Sequence, residues 1–177
     1  MKTITLLLTL FTLGFVSCEK VDKLTQFTIN DQFETTIKAG LATLAPTDME
    51  TPPVTSIAEK ELTMNNSRMD MIESVKLEEL KMVIFDPTGR TFDFLKDIEL
   101  YIAAEGLPEK KIASANNLGD DVTNTIRLTT ENVELEQYLK KGTYTIRMRV
   151  TTDKIINQDI KVRSTAKYFV DAKVLGL

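Results

Sequence analysis

The chain has 177 residues, of which 22 are basic and 26 are acidic, and it contains neither histidine nor tryptophan. Without histidine it cannot form a Ser-His-Asp or Cys-His catalytic site, and it lacks the commonest zinc ligand, so we expect no metal and no cofactor. The formal net charge of -4 gives no reason to expect a nucleic-acid partner.

The N-terminus has the pattern of a secretory signal. Met1-Lys2-Thr3 is a short cationic start, the apolar run from Ile4 to Val16 follows, and the small residue Ser17 precedes Cys18. The apolar run is too short to span a bilayer and fits the hydrophobic region of a signal peptide. We therefore predict a signal peptide over residues 1–17.

Cys18 is the only cysteine of the chain, so an intrachain disulfide cannot form. The run Phe15-Val16-Ser17-Cys18 resembles a bacterial lipobox, in which the cysteine is acylated and becomes the anchored N-terminus; Phe15 stands where Leu is usual. Several acyl chains together give stable anchoring. We expect lipid on Cys18, a tether over residues 18–24, a single domain over residues 25–177, and a place in the cell envelope. The alternative is plain secretion, with Cys18 lost or left as a free thiol.

The first part of the domain contains strand and turn signals. Apolar residues alternate between residues 27 and 37, and Asn30-Asp31 within this run predicts a two-residue hairpin turn. Residues 39–56 contain one glycine and three prolines, which indicates an extended crossover or edge segment. Asn65-Asn66-Ser67 offers helix caps and predicts one or two helical turns over residues 68–73.

The middle of the chain alternates as strands. Residues 75–84 predict a strand whose phase shifts across Glu78-Glu79, which indicates a β-bulge; a helix over residues 74–82 is the alternative, because Glu, Lys and Leu favour it. Asp86-Pro87-Thr88-Gly89 predicts a turn. Further strands are predicted over residues 98–104, 111–115 and 122–129.

The last third begins with a change of period. Leu135, Tyr138 and Leu139 are spaced as on one helix face, so a short helix is predicted over residues 132–141, with Asn132 as N-cap and Gly142 as its stop. Residues 144–150 and 160–172 then alternate and predict a long C-terminal hairpin. About seven short strands and one or two short helices indicate a mainly all-β fold, an antiparallel Ig-like β-sandwich.

Few side chains suggest catalysis. Ser164-Thr165-Ala166-Lys167 has the S-x-x-K form of a lysine-activated serine, but in a strand Ser164 and Lys167 point to opposite faces. The loop at residues 116–121 lacks the ligand order of a calcium site, which favours a solvated turn. Two carboxylates from separate strands could serve glycoside cleavage, and the local acidic groups are Glu78-Glu79, Asp120-Asp121, Glu131, Glu134 and Glu136.

The outward face of the predicted C-terminal hairpin carries four cations. If the apolar residues of both strands face the core, the opposite face presents Arg147, Arg149, Lys161 and Arg163. Like charges opposite each other are unfavourable unless an acidic group answers them. This face is therefore a candidate binding surface for an acidic protein or polymer. The alternative is a solvated face neutralised by Asp or Glu of a neighbouring strand.

Three segments carry a resemblance to a known group of proteins: Met64 to Ile72 (MNNSRMDMI), Phe94 to Ile102 (FLKDIELYI), and Leu135 to Leu139 (LEQYL) before the last strand pair. They resemble small cell-envelope lipoproteins of Bacteroidetes-type bacteria, over most of the chain that follows the signal. The resemblance implies an envelope β-sandwich without an assigned activity or functional residues to transfer. Glu19 and Asp22 are similar to signals that send such lipoproteins to the cell surface.

These observations favour a non-enzymatic, lipid-anchored protein of the outer membrane that faces the periplasm or the exterior and acts as a binding or structural module. A first alternative is a subunit of a fimbria-like surface assembly, in which a neighbour completes an edge strand. A second alternative is a carboxylate-dependent hydrolase of glycans or peptidoglycan.

Overall fold

A computed structural model describes residues 25–41, 43–56, 58–64 and 67–173 of the chain. The predicted signal peptide, Cys18 and the predicted tether lie outside the described residues.

Nine strands, two short helices and one 3-10 turn make up the described part of the chain. The strands are β1 (Gln26–Ile37), β2 (Thr47–Glu50), β3 (Val54–Thr55), β4 (Ile72–Asp86), β5 (Leu95–Ala103), β6 (Lys110–Ala115), β7 (Thr125–Thr130), β8 (Thr143–Thr152) and β9 (Ile160–Ala172). The helices are α1 (Ala58–Met64) and α2 (Glu136–Lys140), and the 3-10 turn is Met69–Met71. The mainly β class predicted from the sequence is confirmed.

The strands form one antiparallel sheet that curls into a half-barrel. Their order is β1-β9-β4-β7-β6-β5-β8-β2, and β3 pairs with the first residues of β8. The expected sandwich of two separate sheets is not confirmed. β7 pairs with β4 on one side and with β6 on the other, so it joins the half formed by β1, β9 and β4 to the half formed by β6, β5, β8 and β2 in one continuous sheet. It pairs with β4 along four residues, and with β6 only through Ala113↔Thr130 and Ser114↔Thr129.

The core lies inside the curl, where alternate residues of each strand point inward. In β8, for example, the buried side chains are Tyr144, Ile146, Met148 and Val150, none more than 1% exposed. Such alternation is typical of an antiparallel sheet with one solvated face. Helix α1 adds Leu62, which is completely buried and packs in the same cluster. Within the described ranges, no helix has the length and apolarity needed to cross a bilayer.

The predicted hairpin at Asn30-Asp31 is wrong. β1 is one continuous strand that pairs with β9 along all twelve of its residues. Asp31 points inward and is only 5% exposed, and its carboxylate accepts a hydrogen bond from the hydroxyl of Tyr144 at 2.9 Å. A turn is unnecessary because this interior partner satisfies the polar side chain.

The predicted C-terminal hairpin is also wrong. β8 pairs with β5, β2 and β3, whereas β9 pairs with β1 and β4. The connection between β8 and β9 therefore passes from one half of the curled sheet to the other. The alternating pattern indicated both strands correctly, but it carried no information about their partners.

Local signals were more reliable. The strand predicted over residues 75–84 lies within β4, and the register shift between Leu77 and Glu79 confirms the predicted bulge. Gly89 and Gly142 have φ of +81° and +73°, as the predicted turn and helix stop require. Helix α2 begins later than predicted, and Asn132 is not its N-cap; instead the carboxylate of Glu134 accepts hydrogen bonds from two backbone N–H groups at its start.

Candidate functional site

The four cations predicted to share one face do not form one patch. Arg147 and Arg149 lie on β8, and Lys161 and Arg163 lie on β9, which is not a neighbour of β8 in the sheet. Each of the four forms an ion pair with an acidic residue of another strand or loop.

Arg147 is held most tightly. It donates two hydrogen bonds to Glu109, from Nε to Oε1 at 2.8 Å and from Nη2 to Oε2 at 2.6 Å. A third bond runs from Nη1 to Oδ1 of Asp48 at 2.6 Å, and the guanidinium lies 4.1 Å from the ring centre of Tyr101. The hydrogen bonds to Glu109 are the main reason that the pKa of Arg147 is raised. The pair is bidentate and leaves little of this guanidinium for an external anion.

The other three cations also form ion pairs with acidic residues. Arg149 Nε lies 3.0 Å from Asp48 Oδ1, and this contact is the main reason that the pKa of Asp48 lies below its ordinary value. Arg163 pairs with Glu34 at 2.8 Å and stacks over the ring of Phe85. Lys161 pairs with Asp86 at 2.9 Å. The arrangement is that of a solvated face whose charges are neutralised by neighbouring strands.

The S-x-x-K string does not form a catalytic pair. Ser164 is completely buried, and its hydroxyl has no hydrogen-bond partner among the described residues. Lys167 points to the opposite face of β9 and pairs with Glu78 at 2.9 Å. The two side chains are therefore on different sides of the sheet, as the strand pattern predicted.

Two of the acidic residues that the sequence analysis named, Glu134 and Asp120, form contacts that hold parts of the fold together. Glu134 accepts hydrogen bonds from the hydroxyl of Ser74 at 2.7 Å and from the backbone N–H of Val75 at 2.6 Å, so it joins α2 to β4. Burial raises the pKa of Glu134, but these bonds and those at the start of α2 outweigh burial and hold the pKa below its ordinary value. Asp120 pairs with Lys154 at 2.7 Å. In the described part of the chain, no cluster of acidic or cysteine side chains could hold a metal ion.

A cleft of about 270 Å³ lies where the two ends of the curled sheet approach each other. β1 and β2 are the first and last strands of the sheet, and both contribute to this cleft. Its apolar surface comes from β2, β4 and β8, and Lys161 of the predicted basic face stands at its rim. The residues that line it include Thr35, Thr36, Met49, Glu50, Phe85 and Met148.

Side-chain contacts across the half-barrel fix the relative direction of the strands around the cleft. Asp31 of β1 meets Tyr144 of β8, and four residues further along each strand the hydroxyl of Thr35 lies 3.6 Å from the sulfur of Met148. β1 and β8 therefore run parallel to each other on facing sides. Because β2 is antiparallel to β8 and Met49 pairs with Met148, β2 runs antiparallel to β1 at the same height.

The backbone hydrogen bonds show which groups of β1 point away from β9. Ala172 N–H donates to Thr25 C=O, which continues the regular β1–β9 register, so odd-numbered residues of β1 bond to β9. Even-numbered residues direct N–H and C=O toward the other edge. The N–H of Gln32, an even-numbered residue, follows this alternation: it donates to the side chain of Asp31 at 2.7 Å and not to β9. At the cleft, Glu34 and Thr36 therefore present the backbone groups of an open edge.

β2 has an open edge of the same kind. Thr51 N–H donates to Ile146 C=O at 2.8 Å, which continues the β2–β8 register. By the same alternation, the backbone N–H and C=O of Met49 bond to β8, whereas those of Asp48 and Glu50 point away from β8. The cleft is therefore bordered by two antiparallel open edges, for which the structure gives no pairing strand in the residues it describes.

A larger cleft of about 410 Å³ lies near the start of β8, and its lining includes Glu105, Lys141 and Tyr144. Its strand walls belong to β5 and β8, which pair with each other through Ala103↔Thr145. This cleft therefore has no open backbone edge between those two strands. The cleft between β1 and β2 is the stronger candidate site for that reason.

The sequence located the segment of this site but not its role. Residues 39–56 were predicted to be a crossover or an edge segment, and β2 is indeed a short edge strand. Met49 and Glu50 carry no motif that marks a cleft. The remaining signal was the proline pair that follows β2, which is typical of an edge strand.

No protein-family model and no curated protein matches the chain. Among solved structures, the chain is similar to a decameric BFDV capsid protein, with a TM-score of 0.37 and 6% identity over 84% of this chain and 98% of that chain. It is also similar to a structure of turnip yellow mosaic virus, with a TM-score of 0.30 and 13% identity over 85% and 96% of the two chains. TM-scores this low carry no argument about function.

Proposed function

We propose that the protein is a non-enzymatic, lipid-anchored module of the cell envelope that binds a partner or has a structural role. The observation that carries the binding role is the pair of antiparallel open edges at the cleft between β1 and β2. Open edges of a sheet are surfaces on which another chain can add a strand. The anchor rests on the signal pattern and on the position of Cys18 as the only cysteine.

Three carboxylates have contacts that support a structural role and not that of a general acid. Glu134, Asp48 and Glu109 hold elements of the fold together through short hydrogen bonds. A carboxylate that acts as a general acid requires a raised pKa, and the pKa values of these three groups are lowered.

The anchor is tested by expressing the full chain with Cys18→Ala in a bacterium that processes lipoproteins. The expected result is that the wild type incorporates labelled fatty acid and sediments with membranes, whereas Cys18→Ala incorporates none. Ser17→Ala is the matched control, since it keeps a small residue before the cut site and should be processed as wild type. A soluble wild-type protein with an unmodified thiol would overturn the anchor.

A subunit of a fimbria-like assembly is the second candidate, because an open β1 edge is also what a neighbouring copy needs. Sedimentation of the purified full chain distinguishes the two. A monomer at all concentrations argues for the binding module, and polymers that depend on concentration argue for the assembly.

A further inference from the structure

We propose that the cleft between β1 and β2 binds a short extended peptide segment of another polypeptide, which inserts as a strand between the two open edges. The inference deepens the proposed binding role and does not depend on the lipid anchor. The ligand is an extended peptide with alternating apolar side chains and a basic residue placed opposite Glu50.

The backbone groups of both edges of the cleft are available to one inserted strand. Glu34 and Thr36 offer N–H and C=O groups from β1, and Asp48 and Glu50 offer them from β2 at the same height. Because the two edges are antiparallel to each other, one inserted strand would be parallel to one edge and antiparallel to the other. Both pairings occur in natural sheets, so a segment of about four to six residues could bond on both sides.

The side chains around the cleft give the ligand its chemistry. Met49, Met148 and Phe85 line the cleft, and methionine surfaces adapt to different apolar side chains. The side chains of a strand alternate between two faces, so the ligand residues that point inward would contact Met49 beside Met148. Those that point outward would lie on the side of Phe85, over which Arg163 stacks.

The charges at the rim favour a basic ligand. Glu34 pairs with Arg163, Lys161 with Asp86, and Lys38 with Asp159. Glu50 is exposed, lines the cleft, and has no ion pair among the described residues. A lysine or arginine of the ligand beside Glu50 would complete the charge balance of the rim.

The geometry disfavours two other arrangements. A symmetric β1–β1 pair of two copies centred on Gln32 would need its N–H, which already donates to the carboxylate of Asp31. The chain's own tether would have to cross about 30 Å from Thr25 to the level of Glu34, nine residues along β1. If the chain is cut before Cys18 as predicted, the seven residues 18–24 reach only about 25 Å when extended.

The test uses a phage-displayed library of random nine-residue peptides, panned on the purified full chain in detergent. The expected result is enrichment of alternating apolar peptides with lysine or arginine at a fixed position. A selected peptide should lose about tenfold or more in affinity when its central amides are N-methylated, because this removes main-chain donors without changing the protein.

Two protein variants locate the site. Thr36→Pro removes an edge donor that takes no part in the β1–β9 ladder, and it should weaken the selected peptide at least fivefold. Glu50→Lys should abolish the preference for a basic residue. Glu105→Lys is the matched control, an exposed acid at the other cleft, and should leave binding unchanged.

Several outcomes would overturn the proposal. These are a library without enrichment, peptides whose binding tolerates N-methylation, and binding that is the same in Thr36→Pro and wild type. A dimer that Thr36→Pro dissociates would assign the edge to a second copy, and selected sequences that match residues 19–24 would assign it to the chain's own tether. A failed selection would leave the fatty-acid test of the anchor unaffected.

Discussion

Tyr144 and Asp31 are 113 residues apart in the chain, and the hydroxyl of Tyr144 donates to the carboxylate of Asp31 across the interior of the half-barrel at 2.9 Å. Both residues are almost completely buried, and the buried hydroxyl of Tyr168 lies in the same polar group. Burial raises the pKa of both tyrosines, so both hydroxyls remain protonated. This contact holds β1 opposite β8 and thereby fixes the position of β1 at the cleft between β1 and β2.

Removal of that hydroxyl should destabilise the fold. In Tyr144→Phe the carboxylate of Asp31 stays buried but loses a donor, which costs about 1–3 kcal/mol. Urea unfolding of variant and wild type measures the difference. Tyr101→Phe is the control, because the Tyr101 hydroxyl bonds to Glu99 at the partly exposed outer face, and it should cost about 1 kcal/mol or less. Equal losses in the two variants would contradict a special role for the interior contact.

Glu134 should make stability depend on pH in the acidic range. Its folded pKa lies below the ordinary glutamate value of 4.5, so the folded state binds its proton less readily than the unfolded state. The stabilisation is therefore fully present above about pH 4.5 and is lost as the pH falls through the lower folded value. Unfolding free energies measured from pH 7 down to acid should show a shallower decline in Glu134→Gln than in wild type. An equally steep decline in Glu134→Gln and wild type would contradict this contribution.

Helix α1 should contribute to the core through one residue. Leu62 is 0% exposed, so Leu62→Ala should cost about 2–5 kcal/mol through lost burial and a cavity. Leu44→Ala makes the same chemical change at a site that is 68% exposed, and its cost should stay within about 0.5 kcal/mol. Thermal or urea unfolding gives both values. A small effect at Leu62 would show that α1 is not packed against the half-barrel.

The ion pairs of the outer face should differ in strength. Arg147 is bidentate to Glu109, and its side chain is only 16% exposed, so Arg147→Ala should cost about 1–2 kcal/mol. Arg127 reaches Glu79 at 3.4 Å with 65% exposure, and Arg127→Ala should cost about 0–0.5 kcal/mol. Unfolding at low and high salt tests both, with the Arg127 contribution the more strongly screened. If the two variants lose equal stability, the network around Arg147 contributes no more than an isolated pair.

The candidate site was only partly visible in the sequence. Arg147, Arg149, Lys161 and Arg163 were correctly assigned to outward faces, since their strands alternate regularly. Their grouping was wrong, because it required β8 and β9 to be partners. The acidic residues that form ion pairs with these cations, such as Asp48 and Glu109, belong to segments remote in the chain. No local sequence pattern connects such pairs.

Sequence alone determined the features that depend on neighbouring residues. Side-chain alternation showed which residues of β8 face the core, the phase shift at Glu78-Glu79 predicted the bulge, and Gly142 predicted the end of α2. Only the tertiary structure decided which strands pair, that β1 continues through Asp31, and that two open edges border one cleft. The physical reason is that backbone hydrogen bonds are chemically the same at nearly every residue. The choice of partner is therefore made by long-range packing and by contacts such as that between Tyr144 and Asp31.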